Sequence, residues 1–403
     1  MRERAVTPRR GGIAASGDPA VRGSGREPRA RPHRAAGRLA AVIGLAALLG
    51  SACGTAAPPA HGPTRASSTR PTPSATAPAS APAAAASVTI AAVGDTMLGD
   101  TPDLPADPGT YLAPVHRTLA SGAQIVFGNL EGTLTTATTS KCGAAGPKQD
   151  CFAFKDPPRY VRYLKRAGFT ILNDANNHSF DFGAAGQAQT VRTIHAAGLA
   201  QTGLPGEITV VRANGIKVAF AAFAPYDYDA NLLDLPAARA LIRQATREAP
   251  IVVVYMHAGA EGADADHVTG HEEYYLGEDR GNAEAFAHMA IDSGASLVIA
   301  SGPHVLRGMQ FYRGHLIAYS LGNFAGYEDF GLSGDLDMSV ILHVTLSATG
   351  GFERARLYPI QFEDEGQPFP GGGSVAFIAR LSAEDFGPTA ARILPSGVIT
   401  APS

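Results

Sequence analysis

Neither sign of charge prevails in this chain: 33 Lys and Arg stand against 36 Asp and Glu, a formal net charge of -3. A surface that follows nucleic-acid phosphates needs a local excess of Lys and Arg, and one occurs only before residue 40, so a generally basic nucleic-acid binder is excluded. Long apolar runs are missing too. The run Leu39 to Leu49 is too short to span a bilayer as a mature helix and reads as the core of an export signal. Only three cysteines are present, Cys53, Cys142 and Cys151, and no third Cys or neighbouring His completes a metal set around the last two. No internal repeat is visible. From Gly54 to Ala86 apolar bulk itself is lacking: Ala, Pro, Ser and Thr cannot offset the entropy of ordering, so this stretch is expected to be a disordered tether.

What is present begins with the N-terminus. Residues 1–38 are rich in Arg, Gly and Pro, the apolar core follows, and Gly50, Ser51 and Ala52 lead to Cys53. This order resembles a lipoprotein signal covering residues 1–53, although Gly50 stands where such signals usually carry Leu. The resemblance implies a lipid on Cys53 and a chain anchored to the outer face of the cell membrane; the alternative is simple secretion. Arg9 and Arg10 fit a twin-arginine signal, or else the true start lies downstream. Outside the cytoplasm Cys142 and Cys151, within KCGAAGPKQDC, are expected to pair as a disulfide.

Short apolar runs then recur with helix-like segments between them: VTIAAV, AQIVFGN, FTILNDA, IKVAFAAFA, PIVVVYMH, ASLVIASG and HLIAYSLGNF. PRYVRYLKRAGF and GNAEAFAHMAIDSGA space their apolar residues three and four apart, as helices covering a sheet do. The pattern predicts an α/β domain over residues 87–386, with two sheets and helices outside. MSVILHVTLSATG and FERARLYPIQF predict a hairpin at the edge of the second sheet, and residues 387–403 a tail draped on the surface.

Nearly every run stops at a polar cluster: Gly94 and Asp95, Asn129 and Glu131, Asn177 and His178, His257 and Glu261, His304, and Asn323. In open α/β sheets the loops beyond the carboxyl ends of the strands converge on one crevice. Carboxylates, imidazoles and an amide oxygen gathered there suit a divalent ion such as manganese, iron or zinc. Read in order, GD, GNLE, NNH with Asp181 following, a strand ending in His, GPHV and YSLGNF resemble the poly-γ-glutamate capsule biosynthesis (CapA) family. That family has a calcineurin-like metallophosphatase fold, which implies a four-layer sandwich of two mixed β-sheets flanked by helices.

Carried over by position, the resemblance implies one or two ions held by Asp95, Glu131, Asn177, His257 and His304. His178 would be the acid or charge stabiliser, with Asp181 orienting its ring, and Asn323 would line the floor. Two imidazoles usual in such sites are replaced, by Met97 two places after Asp95 and by Ser301 three places before His304. The acid-rich excursion after His257 could compensate through His267 and His271 if they share a helical face, or it is a charged, solvated lid. Arg280 and Arg307 are candidate anchors for an anionic substrate, because a guanidinium meets carboxylate or phosphate at two points. Two functions follow. One is a metal-dependent hydrolase acting on a phosphorylated envelope substrate. The other is a non-catalytic component that binds an anionic polymer such as poly-γ-glutamate beside membrane subunits of a polymer synthase.

Overall fold

A computed structural model of the chain describes residues 86–143 and 151–402. Cys53, the expected signal and nearly all of the expected tether lie outside the described residues. Among the described residues no helix is long and apolar enough to cross a membrane.

Two mixed sheets carry the fold, one of ten strands and one of six. In the larger, Ser87–Thr96 is flanked on one side by the parallel series Ile125–Leu130, Ile171–Asn173 and Ala200–Thr202. On its other side lies Met338–Ser347, antiparallel. The smaller sheet centres on the parallel strands Ile216–Phe223, Ile251–His257 and Leu297–Ser301. Side-chain alternation along these strands separates three apolar layers. Ile90, Ala92 and Phe127 of the larger sheet meet Val218, Phe220, Val253 and Tyr255 of the smaller one in a shared core. Phe127 stacks on Phe220 at 5.8 Å between centroids. The intervening residues Ala91, Val93 and Val126 point outward, against Val115 and Leu119 of helix Ala113–Ala120, Leu164 of Val161–Ala167 and Ile194 of Gly183–Ala196. On the far side Ala219, Val252 and Val254 pack on Ile242 of Leu235–Glu248 and Phe286 of Ala283–Asp292. Helix, sheet, sheet, helix is therefore the layer order: an α/β four-layer sandwich of two mixed sheets flanked by helices.

Two expectations are corrected here. The hairpin of Met338–Ser347 and Phe352–Glu363 joins the larger sheet, directly beside its first strand, and not the edge of the second. Met338–Ser347 is buried along nearly its whole length, which an interior strand requires and an edge strand does not. Residues 387–402 are no surface tail: Arg392–Ile393 and Val398–Thr400 extend the larger sheet, and Ile399 enters the core at 2% exposure.

Candidate metal centre

The carboxyl ends of the parallel strands from both sheets meet at one place. Asp95, the last residue but one of the first strand, is fully buried. Its Oδ1 accepts from Asn129 Nδ2 at 2.8 Å and from the Ser301 hydroxyl of the opposite sheet. Gly94 makes the approach possible: a Cβ there would lie 1.8 Å from the Gly322 carbonyl oxygen. With no side chain in the way, Gly322 O accepts from Asp95 N at 2.9 Å, and Asn323 pairs alongside Asp95 in parallel register.

Glu131 follows the second strand, buried, and His257 Nε2 lies 3.7 Å from its Oε1. His304 completes the group. Its Nδ1 lies 2.9 Å from Asn323 Oδ1 and 3.2 Å from Asp95 Oδ2, while its Nε2 lies 3.7 Å from both Glu131 Oε1 and Glu261 Oε2. The residue sits at φ 61°, a left-handed conformation that disfavours a side chain and is held here by its partners. Donor atoms of Asp95, Glu131 and His304 all lie within 4.8 Å of one another, so these three could hold a metal ion.

Whether the residues suit such an ion is decided by their unused atoms. Asp95 Oδ2, both Glu131 oxygens, Asn177 Oδ1 and His257 Nε2 are buried without a hydrogen-bond partner among the described residues. Buried polar atoms are rarely left so, and a cation satisfies carboxylate, amide oxygen and imidazole together. The balance of charge agrees. Burial opposes a proton on His304, but Glu131 and Asp95 outweigh it and push the imidazole up to about 10. Burial, then Asp95, drives the Glu131 carboxyl well above its ordinary range. The Asp95 carboxyl is held low in spite of burial, by His304, His257 and Ser301. Burial holds His257 well below the usual histidine range. The pocket demands positive charge and offers the atoms to bind it.

Beside this group His178 Nδ1 lies 2.8 Å from Asp181 Oδ2. Asp181 also accepts from Phe154 N at 2.7 Å and pairs with Lys141 Nζ at 2.7 Å. Lys141 and Phe154 flank the disulfide that joins Cys142 and Cys151, Cα atoms 5.8 Å apart, so the cross-link ties together the two segments that carry them. Burial lowers the His178 imidazole, with Asp181 opposing. With Nδ1 turned to Asp181, Nε2 faces a cleft of about 210 Å³ shared with His304, Asn323 and Glu261.

The other candidates fare differently. Asn177 reaches the group through Glu261, to whose Oε1 its Nδ2 donates at 3.4 Å. Arg280 is 1% exposed and paired with Glu261 at 2.9 Å. Arg307 is wholly buried in a two-point pair with Glu273 and packs against Gly259, so it braces the excursion and meets no substrate. His267 and His271 share no helix: the segment holds a short 3-10 turn and the hairpin of Glu273–Tyr275 and Glu278–Gly281. His267 is bound to Asp385 at 2.5 Å, away from the centre. Met97 is packed in the core, and Ser301 spends its hydroxyl on Asp95.

Sequence reasoning assigns no role to the amides beneath the site. Asn129 Oδ1 accepts from Asn173 at 2.6 Å and Asn176 at 3.0 Å, and Asn176 Oδ1 accepts from His178 N at 2.9 Å. Asp229 receives Ser179 Oγ at 3.1 Å from below. Their one visible signal is the density of Asn at successive strand ends.

Over residues 89–328 the chain matches the family described as bacterial capsule synthesis protein PGA_cap. It belongs to that family. This PGA_cap chain is 28% identical over 261 residues to the PGA biosynthesis protein CapA of Bacillus subtilis (strain 168), covering 60% of this chain and 62% of that one. It is 32% identical over 187 residues to the capsule biosynthesis protein CapA of Bacillus anthracis, covering 41% and 42%. It thus spans less than two thirds of the length of either relative. Among solved structures, a 5'-nucleotidase precursor from Thermus thermophilus aligns with a TM-score of 0.39 and 12% identity, over 68% of this chain and 54% of that one.

Proposed function

We propose that this PGA_cap chain is a metal-dependent hydrolase of capsule biosynthesis, working outside the cell membrane on a tether from a lipid on Cys53. The observation that carries the hydrolytic reading is the set of orphaned, buried donor atoms on Asp95, Glu131, Asn177 and His257, gathered about the His304 imidazole. Asp95, Glu131 and His304 would hold one divalent ion, of manganese, iron or zinc; Asn177 and His257 would complete its shell or help hold a second. Such an ion supplies Lewis acidity toward a phosphoryl or acyl oxygen. His178, kept neutral by burial, presents Nε2 to the cleft, where it can take a proton from an attacking nucleophile and return it to the leaving group. Asp181 holds the ring and stabilises the imidazolium that forms.

The chain, purified without added metal, is expected to carry bound divalent ion by elemental mass spectrometry, lost in Asp95→Ala and in His257→Ala. His178→Ala should keep the ion yet hydrolyse bis(p-nitrophenyl) phosphate about 100-fold or more slowly, the loss typical of a removed acid–base group. Wild-type hydrolysis by all three variants would sink the reading.

A second reading, a non-catalytic holder of an envelope polymer, draws on Met97 and Ser301 standing where imidazoles are expected. It requires polymer binding that survives His178→Ala, and no turnover after manganese or zinc is supplied.

A further inference from the structure

We propose that the cleft in front of the metal centre takes a substrate bearing an organic ammonium group. The hydrolytic reading above, on which this rests, supplies only the other end of that substrate, the phosphoryl group that would meet the ion.

Among the described residues the cleft wall contains no Lys or Arg. Three cations around the site are committed elsewhere: Arg280 to Glu261, Arg307 to Glu273 and Lys141 to Asp181. In their place stand aromatic rings on both sides. Phe154 lies 4.4 Å from the His178 ring, with Phe152 stacked beyond it at 6.4 Å. Phe330 lies 5.5 Å from the His304 ring across the cleft. Phe152 is 61% exposed and lines the same cleft, so its ring is open to a ligand there.

Next to Phe330 the wall carries Asp329, whose Oδ2 is buried with no hydrogen-bond partner among the described residues. Burial, then Asp100, Asp103 and Glu328, push its carboxyl up to about 8, and no cation among them offsets the effect. Asp156 is 4% exposed, its Oδ1 is also unpartnered, and Asp329 and Asp100 add to the effect of burial on it. On the cleft wall, then, an unpartnered carboxyl that burial and its acidic neighbours keep protonated adjoins aromatic faces. Ring faces attract weakly hydrated alkylammonium ions, and such a cation, on displacing the Asp329 proton, would leave the carboxylate paired. A polyanion would set its carboxylates against Asp329. A phosphate ester of an amino alcohol places phosphate at the centre and ammonium at the rim.

Calorimetry on the full chain tests this. With manganese present, phosphocholine should bind about tenfold more tightly than glycerol 3-phosphate, a phosphate ester without the cation. Phe152→Ala and Asp329→Asn should each bring phosphocholine down to the glycerol 3-phosphate value. Equal affinities in the wild type, or displacement of phosphocholine by a poly-γ-glutamate oligomer, would overturn the proposal. If neither ester binds the manganese-loaded chain, the hydrolytic reading fails and choline alone decides. Saturable choline binding to the EDTA-treated chain, weakened in Phe152→Ala, retains the ammonium site, and no such binding removes it.

Discussion

At the scale of single residues, His178 shows how one neighbour sets a proton's place. Burial lowers its imidazole and the Asp181 carboxylate raises it. Asp181→Asn removes the opposing charge, so the ring should titrate lower still, and the acid limb of kcat/KM, which rises as the base is uncovered, should move to lower pH. Turnover should fall about 10- to 100-fold, the usual effect of losing the partner that orients a working histidine. A pH–rate profile of both proteins checks this; an unmoved acid limb would remove His178 as the base. Much of this residue set is legible in the sequence, because Asp95, Glu131, His257 and His304 each stand at or just beyond the end of an apolar run. The errors share one cause. Side-chain chemistry alone makes Arg280, Arg307 and His267 look available, whereas their roles depend on which carboxylate the fold brings to them: Glu261, Glu273 and Asp385. Asn173 and Asn176 escape for the opposite reason, since asparagine after a strand reads as an ordinary turn residue, and Asn129 is noticed at its strand end without a role.

Among elements, strand identity is the easy part and strand placement the hard one. The runs ending in Asp95, Asn129, His257 and Ser301 are strands, as their β-branched and apolar content predicts. The partner of Met338–Ser347 is not written in its own residues: pairing with Ser87–Thr96 joins segments more than 200 positions apart, and only the assembled sheet determines it. The backbone crossing at Gly94 is similarly non-local, and it makes a sharp prediction. Gly94→Ala would thrust a methyl into the Gly322 carbonyl and push Asn323 from beside Asp95. Stability should fall by about 1–3 kcal/mol, the range for overpacking. Metal content should fall as well although no donor atom has been altered. Urea unfolding and elemental analysis measure the two effects, and an unchanged ion content would separate the crossing from the site.

For the whole molecule, the buried carboxylates set how stability depends on pH. Asp174 is fully buried and neither of its oxygens has a hydrogen-bond partner among the described residues. Burial, followed by Asp229 and Glu207, raises its carboxyl well above the ordinary range. The folded state therefore holds this proton more tightly than the unfolded chain does. Its contribution is complete below the unfolded value and is lost as pH rises through the folded one, at up to about 1.4 kcal/mol per pH unit for one proton. Asp174→Asn should flatten the fall in urea-unfolding stability as pH rises above the ordinary carboxylate range; an equal slope would mean that Asp174 stays charged in the fold. The bond from Ser301 to Asp95 has a wider consequence, because it ties the two sheets together at the centre itself. Asp95, Glu131 and Asn177 ride on one sheet and its loops, His257 and His304 on the other. Ion affinity is in effect a vernier for the alignment of the two halves. A change at Phe127 or Phe220, in the stack between the sheets, touches no donor yet would be read at the centre as a slipped scale.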